Sequence, residues 1–246
     1  MIYPPTPTDA PSPKTRRTAA GGVVLGLIIS VVFAVIFVRL FDFVTDAGHR
    51  VLPFDHALLL WMYRNRTPPL NELGGWLAHL GSPPEIVGIG LAGAIVGAVW
   101  RKVRGAAWTL PIAIFGSGII IQSVKLLVQR PRPAAVPHGF QPLLHETGYS
   151  FPSGHSLIAM TVYGLLGYFA LGLFWQHWAR LTVRVLTVLL VFAIGASRVY
   201  VGVHYPTDVL AGWTAGVPWL ITCLSLHELL TRRWPRSGEP VLTPKG

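Results

Sequence analysis

Long uncharged apolar stretches alternate with short polar connections along the chain. Thr18 to Val38 has 21 residues without a charge, Gly105 to Val124 has 20 and Val209 to His227 has 19. A bilayer needs about 20 apolar residues per spanning helix, so each stretch predicts a transmembrane helix. Thr147 to Ala179 holds 33 uncharged residues, enough for a loop and then a fourth span. Two shorter stretches complete the set. Ile86 to Trp100 has 15 uncharged residues and extends backward through Pro83 and Pro84. Val185 to Ser197 has 13, inside an apolar pattern from Leu181 to Tyr200 in which Arg184 can snorkel to the interface. The pattern predicts an all-α, polytopic membrane bundle of six transmembrane helices.

The longest connection runs from Arg39 to Pro84. Within it Leu70, Leu73, Leu77 and Leu80 recur at helical spacing with Trp76 beside them. This predicts an amphipathic helix over Pro68–Leu80, lying in the membrane interface. The alternative is that these residues open the second span. No internal repeat and no inverted pair of broken helices of the transporter kind is visible.

Composition supports this picture. Hydrophobic residues make up 52% of the 246 and charged residues 12%, against about 25% charged in soluble domains. Mean hydropathy is +0.52. A disordered chain and a soluble enzyme are both excluded. The single cysteine, Cys223, excludes an internal disulfide and a cysteine-based metal cluster.

The net charge of +10 gains meaning from its distribution. With six spans both termini share one side, which carries twelve basic residues and three acidic ones. The other side carries eight basic and seven acidic residues. Basic excess marks the cytoplasmic side, so both termini are expected in the cytoplasm of a cell (inner) membrane. The charge is then a topology signal, and nucleic acid drops out as a partner. Residues 1–17 read as a disordered Pro-rich tail, 18–230 as the six-span domain and 231–246 as a basic tail. The first span exceeds a signal-peptide apolar region and lacks a clear cleavage signal, so it is expected to be retained.

Three polar clusters adjoin the spans: KLLVQRPRP (Lys125–Pro133), FPSGHS (Phe151–Ser156) and SRVYVGVHYPTD (Ser197–Asp208). The topology puts all three on the extracytoplasmic face, although the charge count did not assume that they belong together. Lys125, Arg132 and Arg198 supply cations, with Arg130 nearby. Ser153 caps a helix opened by Gly154 and His155, whose first-turn amides point at a bound anion. Tetrahedral phosphate suits such donors. Taken alone, each cation reads first as a headgroup anchor; convergence of three sets is what favours a site. His204 stands four residues before Asp208, and Pro206 suits the first helical turn between them, so the carboxylate can fold back on the imidazole and prepare a nucleophile. His155 can act as general acid or base. His49, His56, His79, His138, His177 and His227 read as satisfied polar residues, with His145 left open. Zinc on His155, His204 and Asp208 is the rival, disfavoured by the surrounding cations and by a spacing that matches no zinc pattern.

Lys125 with Arg132-Pro133, Pro152-Ser153-Gly154-His155, and Ser197-Arg198 with Gly202, His204 and Asp208 together resemble the type 2 phosphatidic acid phosphatase superfamily of membrane lipid phosphatases. The resemblance covers roughly Gly22 to Leu230, with no departure at a motif position. It implies that His204 attacks phosphorus and forms a phosphohistidine, held by Asp208. His155 protonates the leaving oxygen and then activates water. Lys125, Arg132, Ser153, Gly154 and Arg198 bind the phosphoryl oxygens, and no metal or other cofactor takes part. Arg130 lies outside the strict motif and receives no role. The implied partner is a phosphorylated membrane lipid: phosphatidic acid, phosphatidylglycerol phosphate or undecaprenyl diphosphate. A phosphotransferase would use the same phosphohistidine. The related haloperoxidases are soluble, which this composition excludes. A transporter predicts charges along a pore, whereas here the spans are uncharged in their middles.

Overall fold

The computed structural model describes residues 13–48, 50–100, 105–135 and 141–233. Among these, eight α-helices carry the fold and no strand occurs: α1 (Pro13–Asp46), α2 (Pro53–Arg64), α3 (Pro68–Leu80), α4 (Pro83–Val99), α5 (Ala106–Val128), α6 (Gly154–Leu171), α7 (His177–Tyr200) and α8 (Pro206–Arg233). Five stretches are long and apolar enough to cross a bilayer: Gly21–Asp46 of α1, all of α5, α6 and α7, and Pro206–Thr231 of α8. The helices α3 and α4 meet at 55° across Gly81 and Ser82, and together they qualify as a sixth, broken crossing. The protein is an all-α membrane bundle, as the apolar pattern predicts.

The boundaries move where packing overrides charge. The first helix does not stop at Val38 but continues to Asp46. Phe37, Leu40, Phe41 and Val44 keep a helical period through Arg39 and Asp42, and they pack with Phe151 in one core cluster. A search for charge-free runs misses such a helix, because its charges lie on the face away from the cluster. The same helix begins at Pro13, within the stretch read as the N-terminal tail, whose residues 1–12 lie outside those described. Residues 234–246 of the basic tail and the basic turn 101–104 also lie outside them. The segment over 68–80 is a helix of its own, and its Leu70, Leu73 and Trp76 face outward. The α2 helix has no counterpart in the apolar pattern. Pro53 at its first positions and Asp55 in its first turn favour a helix start there.

The central helix is α6, packed against α5, α7 and α8, while α8 also packs on α1. Ile86, Leu110, Val162, Leu165, Ile194 and Cys223 form the core between them. The crossing of α6 and α8 is close. A Cβ at Gly212 would come within 2.6 Å of the Ser153 carbonyl oxygen, and one at Gly216 within 2.8 Å of Met160 Cβ. Small residues at such a crossing let two helix backbones approach. At the same end Ser153 N donates to Asp208 O at 2.9 Å, tying the first turn of α6 to that of α8. A latch closes this end over the bundle. Arg66, just after α2, donates to the Tyr200 carbonyl at 2.8 Å and to the Gln141 carbonyl at 2.7 Å. Tyr200 Oη in turn donates to Asn71 of α3 at 2.8 Å.

Candidate active site

The last turns of α5 and α7 and the first turns of α6 and α8 bring the three polar clusters together. His204 is 1% exposed, in the short turn between α7 and α8. Gly202 makes that reversal possible, since its φ of 85° is a conformation that side chains with a Cβ rarely adopt. The imidazole Nε2 faces Arg132 Nη1 at 3.3 Å. A guanidinium can only donate, so Nε2 carries the lone pair and the ring proton sits on Nδ1. That side faces Asp208 Oδ2 at 3.4 Å, an ion-pair distance that a shift of a few tenths of an ångström closes to a hydrogen bond. Burial holds His204 well below the ordinary histidine pKa, reinforced by Arg132, Arg198 and Lys125. The imidazole is therefore neutral near pH 7, with its lone pair turned toward Arg132.

Ser153 is buried and caps α6 as expected, accepting from Ser156 N at 3.4 Å and from Ser156 Oγ at 2.9 Å. His155, in the first turn of α6, lies half-buried beneath Gly81 and within electrostatic range of His204, Arg198, Arg132 and Lys125. Lys125 closes α5 within range of Arg132, Arg198, Glu146 and Asp208. Arg132 is fixed by backbone carbonyls: its Nε donates to Thr147 O and Gly148 O, both at 3.2 Å, and its Nη1 to Val203 O at 3.0 Å. All eight residues named from the sequence therefore meet at one end of the bundle.

Three residues that sequence reasoning left without a role complete the arrangement. Glu146 spans the two arginines, with Oε2 3.0 Å from Arg132 Nη1 and Oε1 paired to Arg198 Nη2. Burial alone would raise the Glu146 pKa, but Arg198, His204 and Arg132 outweigh it and hold the carboxyl below its usual range. Arg130 is engaged by two carboxylates and a hydroxyl of the protein. Its Nη1 donates to Asp208 Oδ1 at 2.6 Å and to Thr207 Oγ1 at 2.8 Å, and its Nη2 to Asp55 Oδ2 at 2.7 Å. Its guanidinium also lies 4.2 Å from the Tyr205 ring centroid. Burial lowers the Arg130 pKa, but the two carboxylates reverse this and raise it. Asp55, fully buried on α2, accepts from Thr207 N at 2.9 Å and from Thr207 Oγ1 at 2.6 Å. The one sequence signal for Glu146 was a lone carboxylate in a cationic connection; nothing marked Asp55.

Among the remaining histidines, His145 is exposed and His227 is packed by Trp108, Tyr168 and Phe169. His49 and His138 lie outside the described residues. Among the described residues no three His, Cys, Asp or Glu side chains are gathered as a metal-ligand set, and His204 faces a guanidinium instead. The arrangement offers one buried imidazole with its lone pair toward a guanidinium, a carboxylate behind it, a second histidine, and cations converging on an anion.

Comparisons with known proteins agree with this chemistry. A sequence model described as the PAP2 superfamily matches residues 106–232. Phosphatidylglycerophosphatase B of Bacillus subtilis (strain 168) is 35% identical over 162 residues, covering 62% of this chain and 72% of that protein. Undecaprenyl-diphosphatase of Sulfolobus acidocaldarius is 29% identical over 170 residues, covering 69% of this chain and 76% of that protein. The crystal structure of the transmembrane PAP2 type phosphatidylglycerolphosphate phosphatase from Bacillus subtilis superposes with a TM-score of 0.73 at 28% identity. That match covers 83% of this chain and 98% of the other.

Proposed function

The chain belongs to the PAP2 superfamily, and on that premise we propose that it hydrolyses lipid phosphates at the extracytoplasmic membrane surface through a phosphohistidine on His204. As a member of that family it is a membrane lipid phosphatase; mechanism, face and substrate are what we add. One observation carries the mechanism. The lone pair of His204 Nε2 points at the arginine that, with Arg198, holds an anion, while Nδ1 is backed by Asp208.

The substrate phosphoryl group takes the place of the Glu146 carboxylate between Arg132 and Arg198, with Lys125 and the first-turn amides of α6 completing the donors. Nε2 attacks phosphorus as the bond to the lipid oxygen breaks, and His155 delivers a proton to that oxygen. The charge arising on the imidazole is stabilised by Asp208 through Nδ1–H. Water then loses a proton to His155 and attacks phosphorus, and the N–P bond breaks to release phosphate and neutral His204. Charge spreads over three phosphoryl oxygens in each transition state, so preplaced donors supply most of the rate. The uneven basic residues of the two loop sets support cytoplasmic termini and an outer site.

Phosphatidylglycerol phosphate is the first substrate to test, because a curated relative and a solved structure, both from Bacillus subtilis, carry that activity in their names. Undecaprenyl diphosphate is the second, favoured by the archaeal relative. Purified protein in detergent micelles should release phosphate from these lipids in the presence of a chelator. Brief labelling with a radioactive substrate should trap an acid-labile phosphoprotein that His204→Ala abolishes. Loss of activity on chelation with restoration by zinc, or near-normal turnover of His204→Ala, refutes the mechanism.

A further inference from the structure

The phosphohistidine reading leaves two buried charges unused, Arg130 and Asp55. Arg130 stands behind Asp208 and Asp55 stands behind Arg130, so a line of alternating charge runs from the buried Asp55, in the first turn of α2, to the nucleophile. Asp208 divides its oxygens along this line. Oδ1 accepts from Arg130, while Oδ2 accepts from Tyr205 N at 2.9 Å and faces His204 Nδ1. Thr207 links the two ends, accepting from Arg130 through Oγ1 and donating to Asp55.

Resting on that reading, we infer that Asp55 is a positioning residue for the nucleophile: it shares Arg130 with Asp208, and so holds Asp208 in orientation and leaves the group net negative toward His204. Arg130 alone would cancel the charge of Asp208, leaving a neutral pair behind the imidazole. With Asp55 the three groups carry one net negative charge. That charge is what favours the cationic ring formed when His204 bonds to phosphorus. The sharing also sets geometry, because a guanidinium held at both ends leaves Asp208 little freedom to rotate. On this account the α2 segment, 152 residues from Thr207 in sequence, is part of the catalytic apparatus.

Asp55→Asn tests the inference, since it keeps the shape and removes the charge. The charged groups facing His204 directly stay as they are: Asp208 on α8, Arg132 and Glu146 from the α5–α6 connection, Arg198 on α7, Lys125 on α5 and His155 on α6. Across one guanidinium, taken as about 9 Å, and an effective dielectric of about 20, the lost charge moves the acid limb of kcat/KM down by about one pH unit. Loss of the outer partner of an oriented imidazole lowers kcat about 10- to 100-fold, with KM little changed. Asp55→Glu, which restores the charge, returns the limb toward its wild-type position. A folded Asp55→Asn protein with wild-type kcat, or with reduced kcat and an unmoved limb, overturns the inference. Were that variant too unstable to isolate, Arg130→Lys reads the same line from its other end: kcat falls at constant KM, and normal kcat with raised KM overturns it. His204→Ala runs alongside. If it is dead while Asp55→Asn is normal, only this inference fails; if it is active, the phosphohistidine reading fails first.

Discussion

Replacing Glu146 by glutamine should tighten substrate binding, although Glu146 lies in the centre of the candidate site. Its carboxylate pairs with Arg132 and Arg198, so a phosphoryl group that binds them as proposed must displace it. Charge-assisted hydrogen bonds contribute about 1.5–3 kcal/mol each. The Glu146 side chain is 27% exposed, which places it at the low end of that range. After allowing for its rehydration, the competition is about 1.4–2.8 kcal/mol in total, or about 10- to 100-fold in KM. Glutamine keeps the length of the side chain and lacks the charge, so KM should fall by that factor while kcat stays within a few-fold. The ligand-free variant should melt at lower temperature, since two buried guanidiniums lose a shared anion, and phosphate should stabilise it more than it stabilises the wild type. Because the Glu146 carboxyl is held below its usual range, its pairing stabilises the fold above the ordinary carboxylate pKa. That contribution is lost as pH falls through the depressed value, so wild-type KM should be insensitive to pH near neutrality. The assay is initial-rate phosphate release from lipid phosphate in mixed micelles, with melting followed in parallel. A folded Glu146→Gln protein whose KM is unchanged or raised refutes the competition.

Other expectations follow from the same geometry. Orthovanadate should inhibit competitively at or below millimolar concentration, because it adopts the five-coordinate shape of the phosphoryl transition state; absence of inhibition would contradict the site. Gly212→Val should abolish activity and lower the melting temperature, since even a Cβ there meets the Ser153 carbonyl at 2.6 Å and must push the start of α6 away; wild-type rates in this variant would refute the close crossing. The acid limb of kcat/KM should lie below the ordinary histidine range, because burial and three cations keep His204 neutral. A limb at or above that range would show that the ring titrates in a more open setting.

Residues whose chemistry repeats at short spacing were legible in the sequence. His204 and Asp208 stand four apart at a helix start, and Ser153 caps the helix that carries His155. The spans were legible too, because a bilayer demands a fixed length of apolar helix. What escaped was set by long-range pairing. Asp55 pairs with a residue 75 positions away, and Glu146 with one 52 away. A single carboxylate outside the spans has no periodicity to mark it, so in the sequence both read only as charges that balance one side of the membrane. Arg130 lies outside the strict motif and received no role, because its two carboxylate partners are distant in sequence and only the fold brings them to it.

Those pairings explain how so much charge can sit buried at a membrane surface. The described site holds four cations, Lys125, Arg130, Arg132 and Arg198, and three carboxylates, Asp55, Glu146 and Asp208. Uncompensated buried charges are strongly destabilising, and the excess among these groups is a single positive charge. The carboxylates divide the labour. Asp55 and Asp208 bind the one arginine that faces inward, and their pairing persists throughout the proposed reaction. Glu146 binds Arg132 and Arg198, and in the proposed reaction its place is the one the phosphoryl group takes. A dianionic phosphate arriving there reverses the sign of the excess, which drives the exposed carboxylate toward water rather than either buried one. Exposure thus decides which anion yields: Glu146 is the only one of the three with a path to solvent among the described residues, at 27% against 0% for Asp55 and Asp208.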